Sequence, residues 1–593
     1  MRRVLVVVLS GLLVGACLAT SGSGSSSSTR EALRAIRDPL KIAKLDLQLA
    51  RSHARSVRVE LHVAHPARAR ALVTRRGGRV EAAYGDLVEA VVPVTALHAL
   101  ARDDAVRFVG EPAQPVPEDV RGQGVAATGA AAWQRAGGLG EGVKIAVVDL
   151  GFDGYRRSEA NGDLPVSLVK ADFCPSGGFQ ATSHGTAVAE IVSEMAPAAK
   201  LYLICAQSVA GLGLAVQYAH AHGIQIISHS VSWLNTSRGD GTGLPDTPEG
   251  IVAAARSEGI LWVNAAGNRA QQHWSGTFVD TNANGWNEFA PGDEGNTITL
   301  PPDTSTCIAL KWDDWPVSAE DYDLYLIRSA TGAIVASSTS SQTGLQPPTE
   351  LACYLNGYGV SQTYAIGIRA AHTTGRPVRF DLFAYPGPNL EHQTADGSAT
   401  EPGTSPAALT VGAVCWLDKS LEPYSSRGPT IDGRIKPDLV APDSVSSYVF
   451  GAFSGCGVSG FAGTSASAPH AAAAAALVKQ VNPGFGPDEL QAYLEDHALD
   501  LGPAGKDPAY GSGALFLGAA PRLPKRACRV PRLVGRSLAS ARAEIGRAGC
   551  RVGRVRQLRS RSRVGRVVRQ SPRAGKRLAP LGRVSLTLSR GRG

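Results

Sequence analysis

The C-terminal part of the chain lacks aromatic side chains and has almost no acidic ones. Residues 521–593 contain no Phe, Trp or Tyr, and Glu544 is their one acid beside 22 Lys and Arg residues. Without aromatic rings this segment cannot stack on nucleic-acid bases, so only phosphate attraction would remain for such a partner. Residues 1–520 carry a net charge of −12, against +21 for the tail. The tail is therefore expected to bind an anionic surface.

Metal-binding spacings and long apolar runs are also missing. No Cys-x-x-Cys or His-x-x-x-His pattern occurs, which argues against a zinc site. After the first residues, no stretch reaches the roughly 20 apolar residues of a transmembrane helix. The length and composition of the chain predict a globular protein of several domains. The 593 residues are too many for one core, and the chain is 44% hydrophobic and 19% charged.

The N-terminus is typical of an export signal. Arg2 and Arg3 precede the apolar residues 4–14, and small residues follow. We assign residues 1–19 to a signal peptide and the serine-rich residues 20–30 to a flexible linker. Residues 14–17, Val-Gly-Ala-Cys, resemble the lipobox of bacterial lipoproteins. Two alternatives thus stay open: plain secretion, or a lipid anchor at Cys17 as the one membrane attachment. Either places the protein outside the cell or in the cell envelope.

The number of cysteines fits an oxidising compartment. Eight remain when Cys17 is set aside, and an even number is expected where disulfides form. Cys307 with Cys353 and Cys528 with Cys550 are predicted pairs, because each lies within one predicted domain. The pairing of the other four stays open: Cys174, Cys205, Cys415 and Cys456.

Three segments place an acid, a base and a hydroxyl at the edges of strand–turn–helix units. Asp149 ends an apolar run, His184 begins a predicted helix, and Ser465 precedes an alanine-rich helix within Gly-Thr-Ser-Ala-Ser-Ala-Pro-His. A serine hydroxyl is a poor nucleophile unless a base takes its proton, and that base needs a partner that fixes its tautomer. We therefore expect His184 to deprotonate Ser465 and Asp149 to hold His184.

The order Asp, His, Ser and the flanking residues resemble the subtilase family of serine peptidases. In that family an asparagine follows Ala-Ala-Gly, which implies that Asn268 and the Ser465 N–H stabilise the oxyanion. The resemblance also implies a substrate cleft with two walls, to which an extended peptide adds as a strand. The residues expected in these walls are Ser230, Val231 and Ser232 on one side and Ala266 and Gly267 on the other. The family usually has glycine where Ser232 stands, so a narrower specificity pocket is expected.

The predicted fold class is α/β. Strands alternate with helices over residues 118–270, which predicts a parallel sheet with helices on both faces, as in subtilisin. Residues 399–520 resume and complete this peptidase domain. Residues 31–117 have the order βαββαβ and resemble subtilase propeptides, which implies an α+β unit that is cleaved off around residues 110–125.

Residues 271–398 interrupt the alternation with strand-like segments and no helical spacing. We predict an inserted antiparallel β-sandwich, whose Asp-Tyr-Asp-Leu-Tyr-Leu segment resembles accessory domains of secreted bacterial peptidases. Asp313, Asp314, Asp321 and Asp323 would either bind a structural calcium ion or be solvated turn acids. The chemistry itself requires no cofactor or metal.

Residues 528–593 resemble a PASTA domain, a module of proteins directed to the bacterial cell wall. The similarity runs from Val530-Pro531 through Gln570-Ser571-Pro572 to the strand-like residues 584–589. It implies an α+β module that binds peptidoglycan or another anionic wall polymer. Nucleic acid is the alternative partner for so many arginines, and export argues against it.

These patterns together predict an exported serine endopeptidase that is held at the cell wall and cleaves proteins or peptides. One alternative is a wall-binding scaffold or adhesin whose peptidase fold is inactive. A second alternative is another acyl transfer at the same serine, such as ester hydrolysis or peptide ligation.

Overall fold

The computed structural model describes residues 55–84, 86–110, 122–453, 455–456, 460–522, 527–579 and 582–591. The predicted signal peptide, the linker and Cys17 lie outside the described residues, as does most of the predicted cleavage region. The chain divides into two compact units, Met1–Pro117 and Glu118–Gly593.

In the first unit, two helices pack on an antiparallel sheet of four strands. Apolar residues alternate in the first strand, so that Val59, Leu61 and Val63 enter the core. The elements are β1 (Ser56–Val63), α1 (Pro66–Arg75), β2 (Arg79–Tyr84), β3 (Leu87–Pro93), α2 (Leu97–Arg102) and β4 (Val106–Gly110). The strand order is β2-β3-β1-β4, with β1 antiparallel to both of its neighbours. This is the predicted βαββαβ arrangement.

Buried strands and helices alternate at the start of the second unit. The strands are β5 (Lys144–Asp149), β6 (Val169–Asp172), β7 (Lys200–Cys205), β8 (Ile226–His229) and β9 (Leu261–Ala265). The helices are α3 (Gly124–Ala127), α4 (Ala130–Ala136), α5 (Tyr155–Asn161), α6 (His184–Met195), α7 (Val209–Ala221) and α8 (Pro248–Ser257). The apolar residues of β5 are all fully buried, as expected of a strand that is covered on both faces.

An antiparallel β-sandwich follows, as predicted. Its strands are β10 (His273–Thr277), β11 (Asn296–Leu300), β12 (Ser305–Trp312), β13 (Asp321–Arg328), β14 (Ala333–Ser338), β15 (Thr349–Leu355), β16 (Gln362–His372) and β17 (Arg379–Tyr385). They form two sheets, ordered β10-β17-β12-β15 and β11-β16-β13-β14. One apolar core joins the sheets, with Trp312, Tyr322 and Phe380 among its largest members.

The remaining elements complete the central sheet. They are β18 (Ala408–Cys415), β19 (Leu439–Asp443), α9 (Thr464–Val481) and α10 (Pro487–Asp496). The seven strands are ordered β19-β18-β9-β8-β5-β7-β6, and every neighbouring pair is parallel. Helices α6 and α9 cover one face, and α7 and α8 cover the other. The predicted α/β class is confirmed.

The described helices include none with both the length and the apolar composition that crossing a membrane requires.

The C-terminal module packs one helix on a small mixed sheet. Its elements are β20 (Cys528–Arg529), α11 (Leu538–Arg547), β21 (Arg551–Leu558), β22 (Val567–Ser571), β23 (Arg577–Leu578) and β24 (Arg583–Ser589). The order β21-β24-β22 pairs β24 with β21 in parallel and with β22 antiparallel. Val530, Ala541, Ile545 and Val584 lie in its core.

Four disulfides stabilise the second unit. Both predicted pairs are formed, Cys307–Cys353 in the sandwich and Cys528–Cys550 in the C-terminal module. The four cysteines whose pairing the sequence left open form Cys174–Cys205 and Cys415–Cys456.

Candidate active site

The carboxyl end of β5 and the first residue of α6 bring Asp149 against His184. Nδ1 of His184 lies 2.8 Å from Oδ1 and 2.9 Å from Oδ2 of Asp149. The carboxylate is fully buried, and the Leu150 N–H donates a further hydrogen bond to Oδ1. Gly185 allows this approach, because a Cβ there would lie 2.6 Å from the Gly151 oxygen and 2.8 Å from Cβ of Asp149. The imidazole is therefore held through Nδ1.

The carboxylate also sets the proton affinity of His184. Burial by itself lowers the pKa of this imidazole, but the attraction of Asp149 and the hydrogen bond to it outweigh burial, so the pKa is raised. The side chain keeps 18% of its surface exposed, and its ring packs edge-on against Phe461 at 5.5 Å between centroids. Because Nδ1 faces Asp149, Nε2 is the nitrogen left to exchange a proton.

Ser465 is the second residue of α9 and contacts the end of β8. Its Oγ donates to the Ser230 carbonyl oxygen at 3.2 Å, and the Ser230 Oγ donates to the Ser465 carbonyl oxygen at 3.1 Å. Across the described residues, no hydrogen bond joins Ser465 to His184. The structure thus pairs His184 with Asp149 and Ser465 with Ser230. Such hydrogen bonds in unliganded sites are often long and tighten only in the substrate complex.

Asn268 lies beside the start of α9. Its Oδ1 accepts hydrogen bonds from the Thr464 N–H at 2.8 Å and from the Thr464 hydroxyl at 2.9 Å. Gly463 has a φ of 111°, and a Cβ there would lie 2.7 Å from Nδ2 of Asn268. Because two donors hold Oδ1 and no acceptor among the described residues binds Nδ2, the amide group is left as a donor next to Ser465.

The two expected cleft walls extend from neighbouring strands and meet at a residue that the sequence did not reveal. Ser230, Val231 and Ser232 follow β8, while Ala266 and Gly267 follow β9. The Thr400 hydroxyl donates to the Ser232 hydroxyl at 2.8 Å, and the Thr400 N–H donates to the Ala266 carbonyl oxygen at 3.0 Å. Thr400 has no distinctive sequence context, because it follows the inserted sandwich and reaches the walls only through the fold.

The inserted sandwich supports both walls. Lys311 of β12 forms a buried ion pair with Glu401, the residue after Thr400. Beyond Ser232, the Asn235 amide donates to the carbonyl oxygens of Leu310 at 3.1 Å and Glu350 at 3.0 Å. The position of the cleft therefore depends on the insertion.

Two other buried histidines are not equivalent to His184. Burial lowers the pKa of His229 and of His470 to about 4, so both are neutral at physiological pH. Nδ1 of His229 lies 2.7 Å from Oδ1 of Asn264, and a Cβ at Gly124 would overlap the ring of His470. These contacts are consistent with packing roles.

Three of the four acids considered for calcium have partners elsewhere. Asp313 and Asp314 form ion pairs with Arg376, and Asp323 accepts a hydrogen bond from the Tyr325 hydroxyl at 2.9 Å. In the described part of the chain none of the four acids, Asp321 included, belongs to a group with metal-ligand spacing. A different segment, residues 280–285, has the Asp-x-Asn-x-Asn-Gly start of a calcium loop, but Pro291 stands where such a loop has its closing Glu. Calcium binding stays a prediction.

Comparison with known proteins identifies two domain families within the chain. The model of the subtilase family matches residues 387–513, and the model of the PASTA domain matches residues 529–590. The chain carries a subtilase domain and a PASTA domain. The subtilase match contains Thr400 and Ser465, and the PASTA match contains α11 and the three-stranded sheet.

Relatives of the subtilase domain include three proteases of Bacillus subtilis. Serine protease AprX is 36% identical over 132 residues, which are 19% of this chain and 29% of that protein. Minor extracellular protease Vpr is 23% identical over 410 residues, covering 62% of this chain and 49% of Vpr. Subtilisin E is 31% identical over 219 residues, which cover 33% of this chain and 54% of subtilisin E. This chain thus spans between 29% and 54% of these relatives.

Among solved structures, the CspB protease of Clostridium perfringens is similar with a TM-score of 0.49 and 17% identity, over 66% of this chain and 97% of that chain.

Proposed function

We propose that this subtilase is a serine endopeptidase that hydrolyses peptide bonds of proteins. The observation that carries the proposal is the contact of His184 Nδ1 with both oxygens of the buried Asp149 carboxylate. A carboxylate in that position keeps the proton on Nδ1 and leaves Nε2 as a base. The relatives AprX and Vpr, both named as proteases, support the same activity.

In the proposed reaction, Ser465 Oγ turns from the Ser230 carbonyl toward His184 when substrate binds. Oγ attacks the scissile carbonyl carbon while Nε2 of His184 takes the hydroxyl proton, and Asp149 stabilises the imidazolium. The oxyanion accepts hydrogen bonds from Nδ2 of Asn268 and the Ser465 N–H. The imidazolium then gives its proton to the leaving amine, and water hydrolyses the acyl-enzyme by the same steps. No metal or cofactor takes part.

The proposed substrate lies extended between the two walls. Backbone groups of Ser230–Ser232 and of Ala266 and Gly267 would pair with it as added strands. The hydroxyl pair of Ser232 and Thr400 would face its side chain at the cleavage point and favour small residues there.

Labelling with a fluorophosphonate tests the proposal against an inactive scaffold. A working site reacts covalently at Ser465, and a Ser465→Ala variant does not react. Mass spectrometry of the labelled peptide identifies the residue, and casein turnover compared with turnover of a simple ester separates a peptidase from an esterase. An unlabelled wild-type protein that leaves casein intact would favour the scaffold or adhesin.

We further propose that the protein is exported and held at the cell wall by the PASTA domain. The PASTA match and the arginine-rich sequence of this domain support an anionic wall polymer as the partner. Sedimentation with purified walls at moderate salt tests this, with DNA as the competitor. A protein that sediments with DNA but ignores the walls would contradict the targeting.

The first unit is proposed to be a propeptide that the enzyme removes itself. Its βαββαβ fold and its position before Asp149 support this role. N-terminal sequencing of the exported protein should find the mature end near residues 110–125, and the Ser465→Ala variant should keep the unit. Loss of the unit from that variant would argue against self-processing.

A further inference from the structure

The PASTA domain packs directly on the subtilase domain through α11. Arg547, whose side chain is 12% exposed, donates to the carbonyl oxygens of Gly162 at 2.7 Å and Asp163 at 3.2 Å. Gly162 has a φ of 103°, and a Cβ there would lie 3.0 Å from Cβ of Ala543 and 3.1 Å from Cα of Ser540. The two domains therefore meet closely at the end of α5.

A cavity of about 190 Å³ lies beside this contact, and both domains line it. Arg156 and Glu159 come from α5 of the subtilase domain, while Arg536, Ser540 and Arg566 come from the PASTA domain. At its border the Ser537 hydroxyl donates to the Ala160 carbonyl oxygen at 2.8 Å, which joins the domains again. The cavity exists only while the domains are docked.

The charges in this cavity do not balance. Three arginines face one carboxylate, that of Glu159, and none of the three forms a salt bridge within the part of the chain that the structure describes. Arg156 donates to the Tyr155 hydroxyl at 3.0 Å and Arg566 to the Gly535 carbonyl oxygen at 3.3 Å, both neutral acceptors. Since Arg536 and Arg566 are half-buried, their repulsion is screened less than that of exposed arginines.

A second cavity, of about 310 Å³, lies next to the first on the subtilase side and shares Arg156 with it. Lys170 and Asp172 of β6 also line this cavity, and the Lys170 ammonium donates to the Tyr155 hydroxyl at 2.9 Å. A chain-like ligand that extends from the first cavity would thus meet a second cation, Lys170, beside one carboxylate.

We propose that the cavity between α5 and α11 binds an oxyanion, phosphate or carboxylate, carried by an anionic wall polymer. Guanidinium groups recognise both anions through paired N–H donors, and one bound group would neutralise arginines from both domains at once. The inference deepens the wall-binding part of the proposed function and is independent of peptidase activity. Occupancy would stabilise the docked arrangement of the two domains.

Titration calorimetry on the full chain with Ser465→Ala, which prevents self-cleavage, tests this site. Inorganic phosphate and N-acetylmuramic acid, a sugar carboxylate, are the two probes, at constant ionic strength set with sodium chloride. We expect one saturable site for at least one probe, and the probe that binds identifies the anion. Arg536→Gln with Arg566→Gln should weaken binding about tenfold or more, since charge-assisted hydrogen bonds are lost.

Arg573→Gln with Arg590→Gln is the matched control, because both arginines are exposed on the same domain and the change in net charge is equal. Its affinity should stay within about twofold of the parent. If the double variant in the cavity is unstable, Arg156→Gln, exposed on α5, provides the test and should also weaken binding.

Absence of saturable binding for both probes would overturn the site, and so would equal losses in the cavity variant and the control. Sedimentation of the Ser465→Ala chain with purified walls separates this proposal from the wall-binding proposal that it deepens. Absent anion binding with intact sedimentation counts against the cavity alone, and absent sedimentation counts against wall binding.

Discussion

The hydroxyl of Thr400 lies 2.8 Å from the hydroxyl of Ser232, and this hydrogen bond joins two segments that are 168 residues apart in the chain. Because the Thr400 N–H also binds Ala266, one residue connects both proposed walls of the substrate cleft. A substrate side chain that enters between the walls would meet the hydroxyl groups of Ser232 and Thr400, whereas glycine at these two positions would leave space.

Removal of these two side chains is expected to change the cleavage preference. The Ser232→Gly and Thr400→Gly double variant should accept large residues before the scissile bond, and the ratio of kcat/KM for Phe over Ala peptides should rise about tenfold or more. Ser232→Ala is the control, since it removes the hydroxyl but keeps Cβ, and should shift the ratio less. An unchanged ratio in the double variant would show that Thr400 does not limit the pocket.

Loss of the Asn268 amide is expected to slow turnover without much change in KM. Asn268→Ala should lower kcat about a hundred- to a thousand-fold, the usual cost of one oxyanion donor in such enzymes. Asn268 also holds Thr464, so Thr464→Val serves as the control that removes the hydroxyl contact and keeps the amide. Equal losses in both variants would assign Asn268 to positioning α9 instead of stabilising the oxyanion.

The pH dependence of activity should report on His184. The imidazole acts as a base only when neutral, and its pKa is raised above the usual value of about 6.5. Activity should therefore rise with pH through an apparent pKa above that value. Asp149→Asn removes the attraction that raises the pKa, so the residual activity should titrate at lower pH. Profiles of kcat/KM measured from pH 5 to 9 for the parent and for Asp149→Asn check both expectations. An acid limb at the same pH in the two proteins would contradict the assignment.

Two buried carboxyl groups should make the folded state less stable as the pH rises. Burial raises the pKa of Asp443 and of Glu190 to about 7, whereas the unfolded chain releases these protons near pH 4. Between these values the folded protein binds more protons, so the free energy of unfolding falls with rising pH. In calorimetry from pH 4.5 to 8, Asp443→Asn should lessen the fall in Tm, while Asp418→Asn, an exposed control, should not.

The buried ion pair between the sandwich and the subtilase domain should be costly to break from one side. Lys311→Met leaves the Glu401 carboxylate buried without its partner, which is expected to destabilise the protein by about 3–5 kcal/mol. Adding Glu401→Gln to Lys311→Met should restore most of the stability. Thermal unfolding of the four proteins in this cycle measures the coupling, and no recovery in the double variant would mean that Lys311 acts through packing.

Local patterns explain which parts of the fold could be predicted. The apolar run of residues 145–148 in β5 and the helix start at His184 are properties of short segments, and the structure has both where they were expected. Strands β10, β11 and β15 are hard to recognise in the sequence because polar residues interrupt their apolar pattern, as in Asn-Thr-Ile-Thr-Leu of β11. Their pairing partners, rather than their own sequences, make them strands.

By itself the sequence determined the α/β class, the order of the candidate acid, base and nucleophile, and the basic character of the C-terminal module. Each of these depends on residue type and on short-range spacing, and short-range spacing follows the periodicity of strands and helices. Only the tertiary structure decided that Thr400 joins the cleft walls, that Ser465 contacts Ser230, and that arginines of two domains line one cavity. Those contacts form between segments that are far apart in the chain and meet only in the folded protein, so the local preferences of each segment do not encode them.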